Sequence, residues 1–164
     1  MFFLNDLFLG KISVDIHVFQ EQSHLSISSP SVIALVLDFM DHAKVTYDEV
    51  SIYFVDTQTI SEMHGEYFDD PTTTDCISFP MDLPDAEGYR VMGDVFVCPE
   101  TASDFIAKNG GDCYEEITLY VIHGLLHLLG YDDIEEEDRL EMRKAETDYL
   151  TRVAKKKLWL ISEK

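Results

Sequence analysis

His123 and His127 stand four residues apart in a run that is apolar nearly all round. On a helix this spacing stacks both imidazoles on one face, about a turn apart. Two neutral rings so placed can share one Zn²⁺-like ion. Gly130 follows three residues on, where a left-handed C-cap would stop the helix and bend the chain. Beyond the bend, Tyr131, Asp132 and Asp133 fall back towards the rings, and Asp133 completes a three-ligand site with an open coordination position. A carboxylate there, in place of a third neutral ligand, lowers the charge of the site by one. That weakens the ion as a Lewis acid and moves the preference from Zn²⁺ somewhat towards harder divalent ions such as Mn²⁺. Blander readings fit the same residues. The histidines also suit core positions hydrogen-bonded to backbone, and Asp133 with Glu136, like Asp132 with Glu135, fits a capping box before a final helix. A metallopeptidase of the H-E-x-x-H kind carries its general base at the second position, which here is Gly124. Glu116, two turns before His123 on the same face, is the candidate base; its alternative is a solvated acid in the first helical turn.

The surrounding pattern supplies elements to position these groups. Residues 14–18 alternate and predict a strand, with His17 facing solvent or a strand neighbour. Ser29 before Pro30 predicts a capped helix whose stripe is Val32, Ile33, Leu35, Val36, Phe39, Met40 and Ala43, with His42 at the surface. A second strand is expected at 50–55. A short helix follows, capped by a box of Thr59 and Glu62. The turn-rich segment 69–75 leads into a strand at 76–79 that Pro80 ends. After a loop over 81–89 comes a fourth strand at 91–97, in which Gly93 marks a bulge. Pro99 opens a helix closed by Gly110 and Gly111, Asp112 with Glu115 caps the histidine helix, and a last helix runs from Ile134 to about Lys157. This order predicts an α+β fold: a small mixed four-stranded β-sheet packed against about five α-helices, with the histidine helix central.

A chain of 164 residues reads as one domain able to bury a core. No apolar run reaches the length of a membrane span, so no membrane partner is expected. The first eleven residues are apolar but include Asp6 and lack a basic leader. They read as a packing arm or an N-terminal extension over 1–12 rather than a signal peptide. Cys76, Cys98 and Cys113 show no C-x-x-C spacing and read as free thiols of a cytoplasmic protein. The formal charge of −20 disfavours DNA as a partner and repels RNA, unless local charge runs against the trend. Acid gathers in residues 132–138 and base in Arg152, Lys155, Lys156 and Lys157, an order that suits the dipole of one helix.

With both regions read, the chain resembles the YbeY family of bacterial endoribonucleases. The matching segments are Thr74 to Pro80, Gly93 to Val97, His123 to Asp132, and Glu141-Met142 with Glu146, in family order over roughly residues 47 to 150. The resemblance implies a metal-dependent endoribonuclease of single-stranded RNA. It implies action in 16S rRNA 3′-end maturation and ribosome biogenesis, beside a ribosomal subunit or ribosomal protein. The metal, usually taken as zinc, is placed in a cleft between helices and sheet. His123 and His127 match two of the family's three metal histidines, and Asp133 stands where the third is expected. The loop before the third strand is placed beside the cleft. There Ser78 is expected to bond phosphate or ligand and Asp75 to orient a water or a histidine, against a plain role in turn and strand-end chemistry. Phe68 replaces a family arginine and so removes a phosphate-pairing fork. Thr73 replaces the usual proline. The alternative to an RNase is a ribosome-associated RNA- or protein-binding module with a structural or weakened metal site. A small metallopeptidase is the further rival, which Gly124 opposes.

Overall fold

A computed structural model describes residues 13–164; the expectation for the N-terminal extension lies outside them. The elements are β1 (Asp15–Glu21), α1 (Ser29–Ala43), β2 (Glu49–Val55), α2 (Thr57–Phe68), β3 (Cys76–Pro80), β4 (Val91–Val97), α3 (Pro99–Asn109), α4 (Cys113–Leu128) and α5 (Glu136–Lys156). The strands form one mixed sheet in the order β1-β2-β4-β3. β1 runs parallel to β2 and β2 to β4, whereas β3 is antiparallel to β4 and forms one edge. Among the described residues the architecture is the expected α+β fold, with four strands and five helices.

Alternation in β2 sorts the two sheet faces. Val50, Ile52 and Phe54 point into the main core with Leu35, Phe39, Ile122 and Leu125. Val55 turns to a smaller cluster with Ile60, Ile77 and Cys98 beneath α2. The expected bulge is present: Glu49 pairs with Val91 but Ser51 with Asp94, so β4 carries an extra residue at Met92–Gly93. Gly93 has φ +141°, and a Cβ there would sit 2.3 Å from the Phe79 carbonyl oxygen.

Three helix starts differ from the sequence reading. Ser28, not Ser29, caps α1, accepting the Ser31 N–H at 3.3 Å. Asp56, not Thr59, caps α2, since its carboxylate accepts the Thr59 N–H at 2.8 Å and draws the helix start three residues further back. α5 opens at Glu136 rather than Ile134, and neither Asp132 nor Asp133 caps it. Asp112 caps α4 as expected, accepting from the N–H groups of Tyr114 and Glu115. The charge order of α5 also holds, with Glu136, Glu137 and Asp138 in its first turn and Lys155 and Lys156 in its last.

α5 is fastened to α1 by Arg152, whose Nε and Nη2 donate to the two carboxylate oxygens of Asp38 at 2.8 and 3.0 Å; Lys156 adds a third contact. The Arg152 hydrogen bonds, aided by Lys156 and opposed by burial, hold the Asp38 carboxyl below its ordinary range. A depressed carboxyl stabilises the fold above its unfolded pKa of about 3.9, and that stabilisation is lost as pH falls through the lower folded value. Asp38→Asn is therefore expected to cost on the order of 1–3 kcal/mol at pH 7. The deficit should shrink below about pH 4. Urea unfolding of both proteins across pH 3–7 checks this; a deficit constant with pH would exclude the ion pair as its source.

Candidate metal centre

α4 is buried on nearly every side, with Ile117, Val121, Ile122, Leu125 and Leu126 fully enclosed. It lies across β3 and β4 on one side and against α3 and α5 on the other. Its close seat on the sheet requires Gly124. A Cβ there would come within 2.3 Å of Val95 Cγ1 and 3.1 Å of Ser78 Oγ. This position faces the sheet, so it has no room for the general base that a metallopeptidase carries at the corresponding place.

His123 and His127 face the same way, with ring centroids 4.6 Å apart and their Nε2 atoms 3.0 Å apart. The second nitrogen of each ring decides what those atoms are. His127 Nδ1 lies 2.9 Å from the Tyr131 carbonyl oxygen, which can only accept, so Nδ1 carries the proton. His123 Nδ1 lies 2.5 Å from Glu146 Oε1, a carboxylate that likewise draws the proton to Nδ1. In the neutral rings both Nε2 atoms are then lone pairs directed at one point. Asp133 Oδ2 joins them, 3.6 Å from His123 Nε2 and 3.8 Å from His127 Nε2. The centre of this three-atom triangle lies about 2.0 Å from each corner, within the Zn–N and Zn–O range. Two facing lone pairs and a carboxylate repel one another unless a proton or cation lies between them. The donor set therefore fits a divalent ion, its three ligand atoms lying within 4.8 Å of one another.

Local chain chemistry builds the third corner. Gly130 adopts φ +97°, its N–H donates to the His127 carbonyl at 3.0 Å and that of Tyr131 to the Leu126 carbonyl at 3.1 Å. This left-handed closure ends α4 and brings the Tyr131 carbonyl back onto His127 Nδ1. Asp132 Oδ1 accepts the N–H groups of Asp133 and Ile134 at 2.7 and 3.2 Å, an Asx turn that leaves the Asp133 carboxylate pointing at the histidines.

The remaining sequence candidates gather nearby in different ways. Asp75, at the entry to β3, accepts from the Cys76 N–H at 2.8 Å and the Thr74 hydroxyl at 3.2 Å. Ser78 Oγ donates to the Gly124 carbonyl at 2.9 Å, so its one proton is committed to the helix backbone. Glu116 shares a hollow of about 400 Å³ with Asp75, His123, Asp133 and Glu146. Burial raises its carboxyl above the ordinary value, a hydrogen bond with Tyr120 opposes this, and the charge of Asp75 adds to it. A second hollow, of about 460 Å³, lies on the β3 side and also includes Asp75, His123 and Asp133. His123 and Asp133 thus line both hollows, and His127 lines the second. Burial lowers the His123 pKa, but the hydrogen bond and charge of Glu146, with Asp75 and Asp133, outweigh it and leave a net rise.

Glu146 is the partner of His123 that sequence patterning left without a role. Its signal was an acid in the inward stripe of α5, four residues after buried Met142 and three before buried Tyr149. The Tyr131 carbonyl, being backbone, has no such signal.

Among the described residues, no helix is long and apolar enough to cross a membrane. A family model described as "Endoribonuclease YbeY" matches residues 15–154. A protein of that name from Protochlamydia amoebophila is 47% identical over 147 residues, covering 90% of this chain and 98% of its own length. Another, from Chlamydia pneumoniae, is 40% identical, covering 87% and 93%. The solution structure of TM1509 from Thermotoga maritima shares the fold, with a TM-score of 0.58 and 23% identity over 84% of this chain and 88% of its own.

Proposed function

We propose that this chain, which belongs to the YbeY family of endoribonucleases, cuts single-stranded RNA at a divalent ion held by His123, His127 and Asp133. The observation that carries this is the convergence of two tautomer-fixed Nε2 lone pairs and one carboxylate oxygen about a point that suits Zn²⁺. When bound, such an ion supplies Lewis acidity towards the phosphodiester and a more acidic water. Mn²⁺ is the alternative that the Asp133 carboxylate favours. Glu146 and the Tyr131 carbonyl keep the histidines in the ligating tautomer. Glu116, its carboxyl raised by burial, holds a proton closer to neutral pH than an exposed glutamate does and so serves as the acid–base group beside the cut. Asp75 orients a water or His123 by its charge. Ser78 has only lone pairs left for a ligand, which suits a water rather than a phosphate oxygen. The substrate we assign is precursor ribosomal RNA at the 16S 3′ end, handled in the cytoplasm beside a ribosomal subunit or ribosomal protein.

A binding module with a weakened metal site is the second reading. It is favoured by the charge of −20 and by Phe68, whose ring lines the β3-side hollow where no lysine or arginine stands. Incubating purified protein with single-stranded RNA separates the two. Cleavage that stops on chelation and returns with added Zn²⁺ or Mn²⁺ is expected of the enzyme; a metal-loaded protein that binds RNA and never cuts it leaves the module. Asp133→Ala is expected to lose metal far more than Asp132→Ala, which removes only the Asx turn. Wild-type metal content in Asp133→Ala, measured by elemental analysis, would remove Asp133 from the ligand set.

A further inference from the structure

We propose that Arg139 and Arg143 form a two-pronged phosphate clamp on the α5 side of the metal centre, gripping the single-stranded RNA backbone next to the cut. The proposal rests on the endoribonuclease reading above. The two arginines are four residues apart on α5 and so leave one helix face about a turn apart. Both line the hollow shared by His123, Asp133 and Glu146. Arg139 Nη2 donates to the Ile134 carbonyl at 3.2 Å, which ties it to the loop that presents Asp133.

Neither guanidinium has a carboxylate within ion-pair distance among the described residues. This holds in a chain with 32 acidic residues, and although Glu135 stands one turn before Arg139 in the order that favours a helical ion pair. The other two arginines are committed, Arg152 to Asp38 and Arg90 to the Pro84 carbonyl and the Thr46 hydroxyl. Like charges four apart on a helix repel, so helix stability gives no reason for the pair. A phosphodiester does, because the planar fork of each guanidinium matches its oxygens. Four carboxylates surround this hollow: Asp75, Glu116, Asp133 and Glu146. Without the arginines it would exclude a polyanion. The opposite hollow has no lysine or arginine in its lining, so the cationic grip is one-sided.

The test is the affinity of metal-loaded protein for a fluorescent single-stranded RNA, read by stopped-flow anisotropy before turnover and repeated over a range of salt. Combined Arg139→Ala and Arg143→Ala are expected to raise Kd roughly 10- to 100-fold and to lower the salt slope by about 1.4, or 0.7 per lost phosphate contact. Metal content and melting temperature should stay at wild-type values. The double lysine variant, Arg139→Lys with Arg143→Lys, should keep most of the slope and lose part of the affinity, because the charge persists and the fork does not. Unchanged affinity and slope in the alanine variant, with wild type still cutting RNA, would overturn the clamp and leave the RNase reading intact. Affinity that falls with an unchanged slope assigns the arginines a packing role and also overturns it. A wild type that neither binds nor cuts RNA overturns both.

Discussion

His123→Ala is expected to abolish metal retention and RNA cleavage together, the latter by at least about a thousandfold, since Lewis-acid stabilisation contributes several kcal/mol and each 1.36 kcal/mol is tenfold in rate. The loss is this large because His123 joins three parts of the site. Its Nε2 faces His127 and Asp133, and its Nδ1 anchors Glu146 of α5. Glu146→Gln should show a smaller effect of about 10- to 100-fold in metal affinity or activity. The amide oxygen can still accept the Nδ1 proton, but it no longer carries the charge that favours this tautomer. Elemental analysis and an RNA-cleavage assay on both variants give the comparison. Near-normal metal content in His123→Ala would dismantle the proposed coordination.

Gly124→Ala is expected to cost about 1–3 kcal/mol or more of stability, as overpacking in a filled core does. Gly→Ala inside a helix ordinarily gains about 0.5–1 kcal/mol, so here the sign is reversed. The reason is the 2.3 Å approach that the new Cβ would make to Val95 Cγ1. To relieve it, α4 must lift from β4, which strains the Ser78–Gly124 hydrogen bond and shifts the adjacent His123. Gly65 of α2 is the internal control, because its added Cβ meets Pro71 only at 3.4 Å, an ordinary contact. Gly65→Ala should therefore hold or raise the melting temperature while Gly124→Ala lowers it. A Gly124→Ala protein as stable as wild type would mean that the helix does not rest on the sheet as closely as described.

Local periodicity carried most of the fold. Alternation in residues 50–55 and the flanking punctuation by Pro30, Pro99 and Gly130 placed strands and helices to within a few residues. Strand order was not legible, because the β1-β2-β4-β3 arrangement depends on which strands pair across long crossovers. The misplaced caps of α1 and α2 share one cause. A serine or threonine in a plausible spot says nothing about a competing oxygen one to three residues earlier, and Ser28 and Asp56 were those competitors. In the site, a spacing of four was enough to bring the two imidazoles together. Asp133 could be read either as a helix cap or as a third donor, and only the Asx turn at Asp132, which fixes where its carboxylate points, separates those roles. Glu146 and the Tyr131 carbonyl reach the histidines through tertiary packing and backbone closure, neither of which leaves a spacing to find.

The three donors span only residues 123 to 133. Gathering them closes a loop so short that the entropic cost is modest even when the rest of the chain is unravelled. A denatured ensemble would therefore compete for a cation taken up there, and binding by the native protein would translate only partly into resistance to unfolding. The candidate coordination sphere belongs to a local segment. What the sheet and α5 add, through Ser78 beneath the helix and Glu146 behind the ring, is orientation.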